Sequence, residues 1–158
     1  MRYSTIIVDD EYPARVLLND YVTKVPSLEV AGIFKNALEA SSFLQVNDVD
    51  IVFLDIQMPG LSGIDFIRSL THPPKVILTT AYADYALEGF EISATDYLLK
   101  PIRFERFLVA VNKAIHSIRN ERKQTDPRTI IKIKADQKVV NLHLISVERL
   151  NPMGIDYV

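Results

Sequence analysis

The sequence has 158 residues, which is enough for one full domain and a smaller second segment but not for two large domains. Its composition, 48% hydrophobic and 24% charged, excludes a disordered or fibrous chain, and the absence of cysteine excludes disulfides and thiolate chemistry. A formal net charge of −2 argues against a surface built mainly to coat nucleic acid or anionic membranes. Because there is no signal-like or membrane-length apolar run, we expect a soluble, cytoplasmic protein.

Short β-branched runs alternate with amphipathic stretches along roughly the first three-quarters of the chain. This alternation is typical of a parallel sheet that is covered by helices on both faces. In chain order it predicts strands at 5–8, 28–34, 51–54, 76–78 and 97–99, followed respectively by helices at 14–25, 38–44, 64–70, 85–90 and 104–118. The sequence therefore predicts a doubly wound α/β fold with five strands and five helices.

The remainder of the chain has a different pattern. Residues 119–129 carry almost no apolar side chain and include Pro127, which stops a helix, so we interpret them as a linker. Three short apolar runs follow, at 130–134, 139–142 and 145–150, and they predict a short β segment. About thirty residues form a poor independent domain. We therefore predict one domain over 1–118 and the beginning of a longer module over 130–158.

Polar side chains follow four of the five predicted strands: Asp9 and Asp10, Asp55, Thr80, and Lys100. In a doubly wound sheet the carboxyl ends of the strands open into a common crevice, so we expect these groups to converge. Carboxylates that converge repel one another and stay ionised together only if a cation neutralises them. Oxygen ligands without histidine or cysteine favour Mg²⁺, with Mn²⁺ as the alternative, over zinc.

A divalent ion, a carboxylate and a lysine together suit phosphoryl transfer. Asp55 lies at the tip of an apolar strand, where it can attack phosphorus as a nucleophile. Lys100 would pair with the new phosphoryl group, and Thr80 could donate a hydroxyl hydrogen bond to it and move inward when phosphate is present. This combination predicts a switch that is controlled by phosphorylation.

Less specific interpretations exist for each residue. Asp9 and Asp10 could form a solvated turn and helix cap, Asp55 could be a turn residue, and Lys100 could simply be exposed. Their joint placement at neighbouring strand ends favours a pocket. The main rival function is a metal-dependent phosphohydrolase that acts through an aspartyl-phosphate, but no second carboxylate stands two residues after Asp55, where Gln57 lies. A flavodoxin-like mononucleotide carrier ranks last, because the acidic turn after the first strand would repel phosphate.

From Tyr3 to about Ile118 the sequence resembles the receiver domain of two-component response regulators. The resemblance rests on a set of motifs at the right spacings: Ile7-Val8-Asp9-Asp10-Glu11, Phe53-Leu54-Asp55-Ile56-Gln57-Met58-Pro59, Gly63, Thr80-Ala81 and Tyr97-Leu98-Leu99-Lys100-Pro101. It implies a flavodoxin-like fold with the strand order 2-1-3-4-5. It also implies a phosphoacceptor with at most slow self-dephosphorylation, and not an enzyme that turns over an external substrate.

The resemblance assigns a role to each candidate metal ligand. Asp55 would be the phosphoacceptor and would also bind Mg²⁺. Asp10 would be a direct ligand, Asp9 a ligand through water, and Gln57 a ligand through its backbone carbonyl.

It also assigns the phosphoryl contacts and the output. Thr80 and Lys100 would contact the phosphoryl group, Tyr97 would be the aromatic switch, and the Lys100-Pro101 peptide bond would be cis. The donor would be the phosphohistidine of a sensor histidine kinase. Phosphorylation would reshape the surface formed by the helix at 85–90, the fifth strand and the last helix, and would favour a homodimer.

The tail resembles the start of a LytTR-type DNA-binding domain. The resemblance rests on Ile131-Lys132-Ile133, Lys138-Val139-Val140, Ile145 to Leu150 and Gly154-Ile155-Asp156-Tyr157-Val158. We expect that this domain is truncated here and that DNA is bound only through a full-length parent regulator.

Overall fold

The computed structural model describes residues 1–85 and 91–126, and the chain divides into two compact units, 1–119 and 120–158. The first unit contains a five-stranded parallel sheet in the order β2-β1-β3-β4-β5. The strands are Tyr3–Val8 (β1), Leu28–Phe34 (β2), Ile51–Asp55 (β3), Lys75–Thr80 (β4) and Asp96–Leu99 (β5). The predicted doubly wound fold and strand order are confirmed.

Helices connect the strands, as the alternating pattern predicts. The described helices are Tyr12–Thr23 (α1), Ala37–Val46 (α2), Gly63–Ser69 (α3) and Phe104–Thr125 (α4), with a 3₁₀ turn at Ala83–Tyr85. The predicted helix at 85–90 lies almost entirely outside the described residues, and the predicted β segment at 130–158 lies wholly outside them. Within the described ranges, no helix combines the length and hydropathy of a membrane span.

Side chains alternate between the two faces of the sheet along each strand, and helices cover both faces. On one face Ile7, Phe53, Ile77 and Leu98 pack with α1 and α4. On the other face Ile6, Val8, Val52, Leu54 and Leu78 pack with α2 and α3. All five residues of β3 are buried. The central strand therefore holds Asp55, its last residue, in a rigid frame.

The last helix is longer than the sequence predicts. The apolar stripe ends at Ile118, yet α4 continues to Thr125, into the segment interpreted as a linker. The added turns contain arginine, glutamate, lysine and glutamine, which favour helix without burial. Pro127, which cannot continue a helix, follows within two residues of its end. The helix predicted at 104–118 therefore extends to Thr125, and the prediction ended it too early because it relied on apolar anchoring alone.

The strand register aligns the predicted site residues at one edge of the sheet. Val8 pairs with Leu54, so that Asp9 follows beside Asp55. Asp55 in turn pairs with Thr79. On the far side Leu99 pairs with Thr80, and the Lys100 amide donates to the Thr80 carbonyl at 2.7 Å.

Candidate functional site

Four carboxylates meet at the carboxyl edge of the sheet. One carboxylate oxygen from each of Asp9, Asp10, Glu11 and Asp55 lies within 4.8 Å of the others. Asp9 and Asp55 are buried, whereas Asp10 and Glu11 are exposed. The Glu11 amide donates to Asp9 Oδ1 at 2.8 Å, which fixes the buried carboxylate in place. Sequence reasoning did not assign Glu11 a role, although it directly follows the aspartate pair.

Lys100 is the cation at the centre of this cluster. Its Nζ lies 2.9 Å from Asp9 Oδ2, 3.2 Å from Glu11 Oε1 and 3.6 Å from Asp55 Oδ1. Burial alone would lower the pKa of Lys100, but contact with Asp9 and the charge of Asp55 raise it above its ordinary value. Lys100 therefore remains an ammonium that can pair with an anion at Asp55. Its peptide bond to Pro101 is cis, as the resemblance implies.

Asp55 is poised between its neutral and ionised forms. Burial, followed by the charge of Asp9, raises its pKa from 3.8 to about 7, and the nearby Lys100 only partly opposes this. A hydrogen bond with Asp10 raises the pKa further. One lysine therefore does not neutralise the four carboxylates, and the cluster keeps a net negative charge that a further cation would balance.

The donor set fits a hard divalent cation. The clustered ligand atoms are all carboxylate oxygens, the type that Mg²⁺ and Mn²⁺ prefer. Asp9 Oδ2 is buried, and the Lys100 ammonium lies 2.9 Å from it. Because Lys100 also contacts Glu11 and Asp55, its single positive charge is shared among several carboxylates, and a divalent cation would supply the charge that is still missing.

The loop after β3 folds back against Asp55. The Gly63 amide donates to the Ile56 carbonyl at 2.9 Å, and a Cβ added at Gly63 would lie 2.2 Å from the Asp55 carbonyl oxygen. Only glycine permits this approach. The fold-back leaves an open depression of about 560 Å³ beside Asp10 and Gln57. Gln57 itself is exposed and lies next to the cluster, where the resemblance places a metal ligand.

Thr80 and Tyr97 share a common partner. The fully buried Thr80 accepts a hydrogen bond on Oγ1 from the Tyr82 amide at 3.2 Å. The Tyr97 hydroxyl donates to the carbonyl of the same Tyr82. A shift of Thr80 therefore acts directly on the residue that holds the tyrosine ring.

An ion pair that the sequence did not reveal joins β5 to α4. Arg106 donates to both carboxylate oxygens of Asp96 at 2.7 and 2.6 Å, and Lys113 Nζ lies 3.2 Å from the same group. Burial would raise the pKa of Asp96, but the hydrogen bonds from Arg106 and from the Tyr97 amide lower it below its ordinary value. Arg106 also donates to the Tyr97 carbonyl at 3.1 Å. The pair fixes the start of β5, and with it the backbone of Tyr97.

Known proteins resemble this chain in both sequence and structure. Residues 5–112 match the response regulator receiver domain. The chain is 37% identical over 136 residues to a response regulatory protein of Vibrio cholerae, covering 85% of this chain and 56% of that protein. It is 39% identical over 123 residues to the transcriptional regulatory protein BtsR of Salmonella typhimurium, covering 77% and 50%. It is 30% identical over 148 residues to the transcriptional regulatory protein YpdB of Escherichia coli, covering 92% and 59%.

A solved structure agrees with these matches. The response regulatory domain of MrkE from Klebsiella pneumoniae aligns with a TM-score of 0.67 and 34% identity, covering 72% of this chain and 96% of that one. The chain spans about half the length of the curated relatives that it matches. The matches favour the phosphoacceptor interpretation over the phosphohydrolase alternative. The chain belongs to the response regulator receiver domain family.

Proposed function

We propose that Asp55 accepts a phosphoryl group from the phosphohistidine of a sensor histidine kinase and that phosphorylation switches a transcription-regulating output. The observation that carries this proposal is the buried carboxylate of Asp55, which lies 3.6 Å from Lys100 within a cluster of four carboxylates. The Asp55 oxygen forms a bond to phosphorus as the P–N bond breaks. The electron pair of that bond leaves with the imidazole nitrogen, which takes up a proton.

Mg²⁺ is the proposed cofactor, with Mn²⁺ as a substitute. We propose Asp10 and Asp55 as direct ligands, Asp9 as a ligand through water, and the Gln57 carbonyl as a further ligand. The clustering of carboxylate oxygens from Asp9, Asp10 and Asp55 supports this set. When bound, the ion neutralises the carboxylates and screens the charge of the incoming phosphoryl group.

Lys100 and Thr80 recognise the product. Lys100 exchanges its present carboxylate partners for a phosphoryl oxygen, since a charge-assisted contact to the new dianion is stronger. Thr80 gives up the Tyr82 amide and donates its hydroxyl to the phosphoryl group. Because Tyr82 also holds the Tyr97 hydroxyl, this exchange changes the environment of the ring. The surface that includes β5 and α4 then favours a homodimer.

The output belongs to a longer regulator. We propose that residues 130–158 begin a LytTR-type DNA-binding domain and that DNA is bound only when that domain is whole. The match to the transcriptional regulatory protein YpdB supports this, because 148 aligned residues extend beyond the receiver. The receiver accepts phosphate and at most slowly hydrolyses its own aspartyl-phosphate. The cysteine-free composition is compatible with the reducing cytoplasm, where we propose that the chain acts.

Intact mass after incubation with acetyl phosphate tests this function. We expect the wild type to gain one phosphoryl group with Mg²⁺ and none with EDTA, and we expect no gain in Asp55→Asn. Asp50→Asn is the matched control, because Asp50 precedes β3 at the opposite edge of the sheet. No gain by the wild type, or an equal gain by Asp55→Asn, would contradict the proposal. Sustained phosphate release from added phosphomonoesters would instead favour the phosphohydrolase.

A further inference from the structure

We propose that Arg15 is a positioning residue for cation binding, holding the acidic loop in the shape that ligates a divalent ion. Arg15 lies near the start of α1 and is partly buried. One guanidinium nitrogen, Nη1, donates to the Asp9 carbonyl at 2.7 Å and to the Asp10 carbonyl at 3.0 Å. The inference rests on the proposed magnesium site, and it adds a residue that no motif of the sequence assigns to that site.

The two carbonyls lie in the connection between β1 and α1, where the backbone changes from strand to helix. Before them, the Asp9 amide still bonds to β2, donating to the Phe34 carbonyl at 3.1 Å. After them, the Glu11 carbonyl accepts from the Arg15 amide at 3.2 Å. Between these points no backbone amide in the described part of the chain donates to the Asp9 or Asp10 carbonyl. Arg15 therefore supplies the hydrogen-bond donor that these two carbonyls do not receive from the backbone.

Bridging consecutive carbonyls fixes the direction of the acidic side chains. The peptide units on both sides of Asp10 are held by the same nitrogen, so the Cα–Cβ bond of Asp10 is held as well. The Asp9 carboxylate is oriented separately by the Glu11 amide at 2.8 Å. Groups that orient metal ligands in this way typically change metal affinity by about 10–100-fold when they are removed.

Charge and positioning predict opposite results for Arg15. The guanidinium is a positive group beside a cation site, so by charge alone its removal would strengthen Mg²⁺ binding. If Arg15 acts by holding the loop, its removal weakens binding although repulsion is relieved. The sign of the change in affinity therefore separates the two roles.

The test is a calorimetric titration of the intact chain with MgCl₂, without a phosphoryl donor. Arg15→Met keeps a long side chain against the Tyr12 ring, which now lies 5.6 Å from the guanidinium carbon, but removes the donors and the charge. We expect its Mg²⁺ affinity to fall about tenfold. Lys35→Met is the matched control, because the exposed Lys35 directly follows β2 at the same edge and donates to neither carbonyl. We expect this variant to bind Mg²⁺ as tightly as the wild type or slightly more tightly.

Equal or tighter binding by Arg15→Met would overturn the inference, as would an equal loss in Lys35→Met. A wild type that binds no Mg²⁺ would refute the proposed metal site itself, whereas wild-type binding with an unaffected Arg15→Met would refute the role of Arg15 alone.

Amide NMR signals of the metal-free protein give a second measurement. We expect the signals of Asp10 and Glu11 to shift in Arg15→Met and to stay in place in Lys35→Met. Unshifted loop signals in Arg15→Met would overturn the inference. If Arg15→Met does not fold, Arg15→Gln serves in both experiments, because its shorter side chain cannot bridge the two carbonyls.

Discussion

Replacing Asp55 with asparagine should stabilise the metal-free protein, and the gain should increase with pH. In the folded chain burial and the charge of Asp9 raise the pKa of Asp55 from 3.8 to about 7. The folded state therefore holds a proton that the unfolded state has released, and stability falls as pH rises from the lower value through the upper one. Asparagine has nearly the same shape and does not titrate, so it escapes this loss.

The size of the effect follows from the two pKa values. Moving the pKa from 3.8 to about 7 corresponds to about 4 kcal/mol once the pH is well above 7. Part of this cost is already present at about pH 5, so the difference in stability between Asp55→Asn and the wild type should grow by about 3 kcal/mol between about pH 5 and about pH 8.5. The side chain is only 4% exposed, so solvent screening removes little of it.

Urea unfolding in EDTA, followed by circular dichroism, measures this difference at each pH. Asp48→Asn is the control for a general effect of removing an acid, because the Asp48 side chain is exposed, and its stability should track that of the wild type. Saturating Mg²⁺ at high pH should shrink or reverse the advantage of Asp55→Asn, because the ion stabilises the carboxylate that asparagine lacks. Parallel pH profiles for Asp55→Asn and the wild type in EDTA would refute the reasoning.

Three further substitutions test the frame around the site. Gly63→Ala should lower the free energy of unfolding by about 2 kcal/mol or more and should slow phosphorylation of Asp55, because the new methyl group collides with the Asp55 carbonyl. An unchanged melting temperature and phosphorylation rate would contradict this. Tyr21→Phe should lower the free energy of unfolding, measured with urea, by about 1 kcal/mol, because it removes a hydroxyl that donates at 2.8 Å to the Ile102 carbonyl after β5. An unchanged free energy would mean that this hydrogen bond does not stabilise the fold. Asp96→Asn should cost about 2 kcal/mol at neutral pH through its contact with Arg106. Because the pKa of Asp96 is lowered in the folded state, that cost should shrink as the pH falls below about 4, and a cost independent of pH would refute the ion-pair explanation.

The sequence predicted the sheet well because burial on both faces leaves a strong local pattern. Each of the five runs predicted as strands between residues 5 and 99 is a strand, and β3 is buried over its whole length. The end of α4 was less predictable. Helix propensity in an exposed segment depends on many weak preferences, and the apolar stripe that marks the rest of the helix stops at Ile118.

The sequence correctly predicted which side chains converge wherever those side chains directly follow a strand. Asp9, Asp55 and Lys100 converge because the register of a parallel sheet places consecutive strand ends together. Their chemical roles stay predictions until phosphorylation is measured. The contacts of Glu11 and Arg15 were not predictable, because they depend on the conformation of the loop between β1 and α1 and of the side chains on it. A periodic sequence pattern carries no information about that conformation.

The carboxylate cluster at the edge of the sheet destabilises the metal-free fold through charge repulsion, and this repulsion bears on the reactivity of Asp55. Four carboxylates surround one ammonium, so the metal-free cluster keeps an excess of negative charge. That excess is relieved in part by the proton that Asp55 retains near neutral pH. A divalent cation would relieve it more completely and would release that proton, converting Asp55 into the ionised nucleophile. If Mg²⁺ is the cofactor, as we propose, the excess of charge that weakens the fold without metal also makes the acceptor more reactive when the ion binds.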